Sequence, residues 1–188
     1  ISEYNKTKMV SERVLLSYAD RMRVQIIRPA TVCGYSPRMR LDVSVNMLTM
    51  QALSKGKITV FGGKQVRPNI HIADMVEAYM VLLNADKEKI AGKIFNAGYE
   101  NQPVSKIAET VKNVVGEDVK LITTPSNDNR SYHISSKKIK DEIGFETTHT
   151  IRDAVEDLCA AFNKGLLPNS LDDEMYFNIK RMQSYQLK

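Results

Sequence analysis

The chain has 188 residues, 43% of them hydrophobic and 26% charged, with a formal net charge of +5 at pH 7. That length and apolar content suit one ordinary domain, or one and a half, with a packed core, and exclude wholesale disorder. The positive charge is scattered: its densest run, KKIK at 137–140, is followed at once by Asp141 and Glu142, which argues against a nucleic-acid footprint.

Residues 3–20 read as a helix, with Met9, Val14, Leu15, Leu16 and Tyr18 spaced among Lys6, Glu12 and Arg13. VQIIRP at 24–29 is a β-branched run stopped by proline and predicts a buried strand over 24–28. Thr31 to Leu41 reads as a loop carrying Gly34 and Pro37, after which Asp42 caps a helix running to about Ser54 and ended by Gly56. ITVF at 58–61 and NIHI at 69–72 are extended, separated by a Gly-Gly turn. Asp74 begins a helix to Asn84, KIFNAG at 93–98 is a strand, and Ser105 opens a helix to Val115. DVKLIT at 118–123 is a strand, helices follow over 135–143 and 150–162, each with a capping hydroxyl, and a peripheral helix is expected after Pro168.

Strands alternating with helices predict an α/β protein with mainly parallel pairing. Only 24–28 and 93–97 read as fully buried strands, and two strands make a poor sheet. The chain therefore reads as the end of a larger fold. Cys33 and Cys159 form neither a disulfide framework nor a CxxC site, so reduced thiols and no metal are expected. No run approaches the roughly 20 apolar residues of a membrane span, and the first residues do not resemble a signal peptide. A cytoplasmic location without membrane contact is the expectation.

Tyr4 and Lys8 stand one helical turn apart, on the same face. An ammonium beside a phenol favours the phenolate, which can pass a proton to or from an alcohol oxygen. A Tyr-x-x-x-Lys spacing is common by chance, so context carries the reading. Here YNKTK is followed by a helix, a strand and RPATVCGYSPR, then by ITVFGGKQVRPNIHIADMVEA, then by DNRSYHISSKKIKDEIGFE. These stretches, in this order, resemble the extended short-chain dehydrogenase/reductase family, which includes nucleotide-sugar epimerases, dehydratases and reductases. Arg28, Pro29, Val32 and Gly34 match its Arg-Pro-x-x-Val-Tyr-Gly pattern, with Cys33 in place of the tyrosine. Gly62, Arg67, His71, Asp74, Arg130, Ser136, Lys138, Gly144 and Phe145 fall at its later positions, and the family's Arg-Asp-Phe reads Arg67-Pro68-Asn69.

The resemblance implies that Tyr4 transfers the proton and Lys8 holds the nicotinamide ribose of NAD or NADP. It places the backbone of Pro29, Ala30, Thr31 and Val32 against the nicotinamide. Arg67 and Arg130 would clamp a nucleotide diphosphate, Val60 and Phe61 would line the base, and Asn46 is a weaker candidate for substrate contact. Arg38 and Arg40 are further candidates near an anionic substrate. His71 is expected to be structural and Asp74 an N-cap. The fold implied is the C-terminal part of a Rossmann-type fold. Residues 1–34 and about 70–98 would belong to its dinucleotide-binding domain, about 35–69 and 99–165 to a small substrate-binding domain, and 166–188 to a peripheral tail. A homodimer through helix 3–20 is implied. The family's Gly-x-x-Gly-x-x-Gly turn does not occur, so this chain by itself is expected to be inactive. Epimerase, dehydratase and reductase chemistry stay open, as do the nucleotide, the sugar and the choice of NAD or NADP. Reduction of a small carbonyl without a nucleotide is the alternative, and a basic nucleic-acid-binding module a remote one.

Overall fold

The computed structural model describes residues 3–127 and 130–185. Ile1, Ser2, Asp128, Asn129 and 186–188, which fall within three of the expected segments, lie outside the described residues. In chain order the elements are α1 (Glu3–Leu16), β1 (Ile26–Pro29), β2 (Thr31–Cys33), α2 (Ser44–Lys55), β3 (Lys57–Phe61), β4 (Val66–His71), α3 (Ile72–Asn84), α4 (Lys87–Ile90), β5 (Ile94–Ala97), β6 (Glu100–Pro103), α5 (Val104–Val115), β7 (Lys120–Thr124), α6 (Lys137–Ile143), α7 (Ile151–Asn163), a 3-10 turn (Glu174–Tyr176) and α8 (Asn178–Ser184).

The strands form three small sheets. β1 pairs with β5 and β3 with β7, both parallel, while β4 lies between β2, parallel to it, and β6, antiparallel to it. The mixed α/β class with mainly parallel pairing is as expected. The detail differs in several places. β1 is not a fully buried strand: of its four residues only Ile26 is buried, because among the described residues β5 is its one neighbour. Thr31–Cys33 is a strand rather than loop, since Thr31 and Val32 are β-branched and pair with Asn69 and Ile70. The polar stretch ENQP forms β6, held by its pairing with β4 and not by any apolar alternation.

The cores follow from helical stripes. In α7, Ile151, Ala154, Val155 and Leu158 recur at i, i+3, i+4 and i+7 and are buried. The first three meet Ile107, Ala108 and Val111 of α5, and Val45, Leu48 and Ala52 of α2, over Ile58 and Val60 of β3. A second cluster packs Met75, Ala78 and Leu82 of α3 against Phe95, Ala97 and Ile139. A third joins Met39, Leu41, Met50 and Leu158 to Leu167 and Phe177. Each fully buried leucine or phenylalanine among these contributes about 1.5–3 kcal/mol of transfer free energy. The segment beyond Pro168, expected to be peripheral, therefore supplies core through Phe177.

The caps also differ. Thr150 forms a capping box with Asp153, as its hydroxyl predicts. Asp42 does not cap α2, whose N-cap position is Val43; its carboxylate faces Arg40 and the Asn178 amide. Asp74 does not cap α3: His71 does, its Nδ1 accepting from the Ala73 amide at 3.2 Å. Ser136 does not cap α6 with its hydroxyl, which bonds the Gly98 backbone. No residue of α1 is buried. No helix among the described residues is long and apolar enough to cross a membrane.

Candidate functional site

On α1, Lys8 Nζ lies 5.6 Å from the centre of the Tyr4 ring, the geometry of residues one turn apart. Tyr4 is 68% exposed, so its phenol is open to a ligand. The helix is tied to β1 by a forked ion pair: Arg28 Nε donates to Glu12 Oε1 at 2.7 Å and Nη2 to Oε2 at 2.5 Å. The hydrogen bond from Arg28 holds the Glu12 carboxyl below its usual range and raises Arg28 in turn. Arg28 immediately precedes Pro29, so the pair anchors the tyrosine helix to the strand whose end carries residues 29–32.

At that end the chain passes from one sheet to the next. The Ala30 amide donates to Ala97 O at 2.7 Å, and β2 begins one residue later. Pro29 is exposed, Ala30 buried, and Thr31 and Val32 half-buried. Gly34 follows with φ of 99°, a backbone conformation that favours glycine, and a Cβ there would stand 2.9 Å from His71 Nε2.

The second half of the site lies across the β3–β4 turn. Arg67 Nη1 donates to Val66 O at 3.1 Å and to Arg130 O, and the Val66 amide donates to Ser131 Oγ at 3.0 Å. Arg67 and Arg130, far apart in sequence, are thus brought together at the backbone. Phe61 is 56% exposed and edges a groove of about 440 Å³ with Asp42, Ser44, Met47, Gln51 and Gln65. Val60, 4% exposed, turns the other way into the core, so only its backbone is available to a ligand. Asn46 is 3% exposed and spends both ends of its amide inside the protein: Oδ1 accepts from the Gly34 amide at 3.1 Å and Nδ2 donates to Arg40 O at 2.9 Å. It shapes a loop instead of facing a ligand. Arg40 pairs with Asp42 at 2.9 Å, and Arg38 binds the C-terminal segment.

One cluster was not visible in the sequence. The Asp74 carboxylate, 3% exposed, accepts from the amide and hydroxyl of Thr148 and from the amide and Nδ1 of His149, the last at 2.8 Å. Burial would raise Asp74, but these hydrogen bonds outweigh it and hold the carboxyl below its usual value. His149 is raised, chiefly by its hydrogen bond to Asp74. His71 stacks on His149, and burial followed by the His149 charge lowers it. His71 Nε2 lies 3.3 Å from Asp157 Oδ2 without forming a well-aligned hydrogen bond to any of the described residues. Nothing local marks a contact between residues more than 70 positions apart. Among the described residues no group of three or more His, Cys, Asp or Glu is arranged to hold a metal.

The chain is similar to known proteins in sequence and in fold. A family model described as the NAD dependent epimerase/dehydratase family matches residues 1–98, over half the chain. A UDP-glucose 4-epimerase from Corynebacterium glutamicum is 34% identical over 178 residues, covering 84% of this chain and 53% of that protein. The solved UDP-glucose 4-epimerase of Thermotoga maritima with UDP-glucose has a TM-score of 0.75 at 23% identity, covering 88% of this chain and 55% of that one. The dTDP-glucose 4,6-dehydratase of Bacillus anthracis in complex with NAD has a TM-score of 0.71 at 20% identity, covering 96% of this chain and 55% of that one. At such identities the two structures show a shared Rossmann-type α/β fold. The chain spans between 38% and 53% of the length of the curated relatives it matches. With the motif order, the fold and the family model in agreement, the chain belongs to the NAD-dependent epimerase/dehydratase family.

Proposed function

We propose that this chain supplies the catalytic helix and the substrate-binding part of an NAD(P)-dependent enzyme acting on a nucleotide-diphosphate sugar. The observation that carries the reading is the meeting of Arg67 with the Arg130 backbone, two residues along the chain from Gln65, which lines the groove edged by Phe61. Two arginines on neighbouring segments suit a diphosphate, because each guanidinium is planar, permanently charged and able to donate in a fork. Phe61 offers its ring to the base.

Tyr4 moves the proton: as a phenolate its oxygen takes it from a sugar hydroxyl as that carbon is oxidised, and the resulting phenol returns it when the ketone is reduced. Lys8 steadies the charge on that oxygen and donates to the ribose. The residues present fit the nicotinamide end of a dinucleotide, with Lys8 and the backbone of Pro29, Ala30, Thr31 and Val32 to hold it, while no Gly-x-x-Gly-x-x-Gly turn is available for the pyrophosphate. When bound, the dinucleotide supplies reversible hydride exchange with a sugar carbon, which we assign as C4. In this reading residues up to 34 and about 70–98 serve the cofactor side, and about 35–69 with 99–165 the substrate side. The exposed Val10, Val14 and Leu15 of α1 support pairing with a second copy, which light scattering on the purified chain would detect.

Calorimetric titration of UDP and UDP-glucose into the chain tests the reading. Arg67→Ala and Arg130→Ala should each weaken binding by about tenfold or more, the loss of a charge-assisted hydrogen bond. Affinity unchanged in both variants overturns the nucleotide assignment and favours a small carbonyl substrate. NAD itself should not bind this chain at micromolar concentration, and tight NAD binding would overturn the division of labour proposed here.

A further inference from the structure

The C-terminal segment crosses back over the loop between β2 and α2. Leu41 donates its amide to Tyr176 O at 2.9 Å, and the Asn178 amide donates to Asp42 Oδ2 at 3.1 Å. The Arg38 guanidinium donates to Asn178 Oδ1 at 2.8 Å, to Met175 O at 3.4 Å and to Met39 O at 3.0 Å. Phe177 is buried with Met39, Leu41 and Met50 beneath these bonds. The three contacts that Arg38 and Asp42 make with this segment join residues between 136 and 140 positions apart.

Asp42 is where this contact reaches the groove. Its side chain lines the groove that Phe61 edges, and both its oxygens are held, one by Arg40 Nε at 2.9 Å and one by the Asn178 amide. An unrestrained carboxylate on that wall would repel an anionic ligand. From Arg40 the path continues through its carbonyl to Asn46, and from Asn46 to the Gly34 amide. Gly34 follows the C-terminal end of β2, and in open α/β sheets ligands sit outside the C-terminal ends of the strands.

We propose that Met175–Asn178 is a strap that positions the 35–42 loop, and Asp42 within it, for nucleotide binding, with Asn178 as the positioning residue. This rests on the reading that the Phe61 groove receives the nucleotide. Asn178 offers an unusually clean test. It is the first residue of α8, a position that tolerates proline. Asn178→Pro removes both the side-chain acceptor for Arg38 and the amide donor for Asp42. Asn178→Ala removes the first alone, and Asn178→Asp retains both.

Hydrogen exchange and UDP titration are measured on the full chain for all three variants, with thermal unfolding as the control for global stability. In Asn178→Pro the amides of residues 38–42 should exchange about tenfold faster and UDP should bind about tenfold more weakly, a combined effect of about 1.4 kcal/mol from the two lost hydrogen bonds. Asn178→Ala should fall between, and Asn178→Asp should match the parent, a rescue that a general loss of packing would not show. Should Asn178→Pro fail to fold, Arg38→Ala, at an exposed side chain, replaces it. Unchanged exchange over 38–42 overturns the strap. Faster exchange with UDP affinity within twofold of the parent overturns its role in binding. If the parent chain binds no UDP, the functional reading falls, and exchange alone decides whether the strap exists.

Discussion

The imidazole rings of His71 and His149 stack with centres 4.7 Å apart and planes 15° from parallel, and each faces a different carboxylate, Asp157 for the first and Asp74 for the second. His71 accepts from the Ala73 amide through Nδ1, so its neutral form carries the ring proton on Nε2. Two stacked rings resist carrying two charges. The positive charge belongs on His149, which sits against Asp74 with Asp153 and Asp157 nearby.

This arrangement predicts opposite pH dependences from neighbouring rings. His149 is raised above its ordinary value of 6.5, so its contribution is complete below that value and is lost as pH rises through its folded pKa. His71 is lowered from the same value, so the stability from its neutral, capping form is present above 6.5 and is lost as pH falls through its folded pKa. Asp74, lowered from 3.8, contributes above that value and loses its contribution as pH falls through its folded pKa. Thermal unfolding between about pH 5 and about pH 8 should show a maximum that His149→Gln flattens on its alkaline side. An unchanged alkaline limb in that variant would contradict the assignment.

The Glu12–Arg28 pair should matter more to α1 than to the whole chain. Arg28 is half exposed, so the pair contributes at most about 1 kcal/mol and is weakened by salt. With no buried residue in α1, Glu12→Gln should speed amide exchange across Glu3–Leu16 while the melting temperature of the rest stays within about 4 °C. Slow exchange retained in α1 would show that other contacts hold it.

Gly98 is a packing requirement. A Cβ there would stand 2.5 Å from Ile134 Cγ2 and 2.9 Å from Ala30 Cβ, both within the core that joins β5 to the 134–136 segment. Gly98→Ala should destabilise by about 1–3 kcal/mol, the usual cost of overpacking, measurable by urea unfolding. A cost below about 0.5 kcal/mol would mean that the 134–136 segment moves freely away.

Cys33 should be inert in the folded protein. It is 1% exposed, its Sγ donates to Ile70 O at 3.4 Å, and burial pushes its thiol up to about 12. Thiol titration with a maleimide near neutral pH should label Cys159 first and reach Cys33 on unfolding. Equal labelling of the two in the native state would refute the burial.

Local signals carried the reading a long way. The Thr150 hydroxyl three residues before Asp153, the Gly56 that ends α2 and the stripe of α7 are all events within one or two helical turns, and such signals can be read from neighbours in the chain. The Tyr4–Lys8 pair is of the same kind, and the ordered motifs around it were enough to identify the family. Strand neighbours and long-range polar contacts were not legible in that way. Thr31–Cys33 and Glu100–Pro103 are short and lack apolar alternation, and they become strands because β4 lies between them. Asp42 and Asp74 look like helix caps by spacing, yet Asn178 and His149 draw them into other bonds from more than 70 residues away. Capping propensity is worth about 1 kcal/mol, less than a buried carboxylate gains from several hydrogen-bond donors, so where the chain folds back on itself the tertiary contact wins.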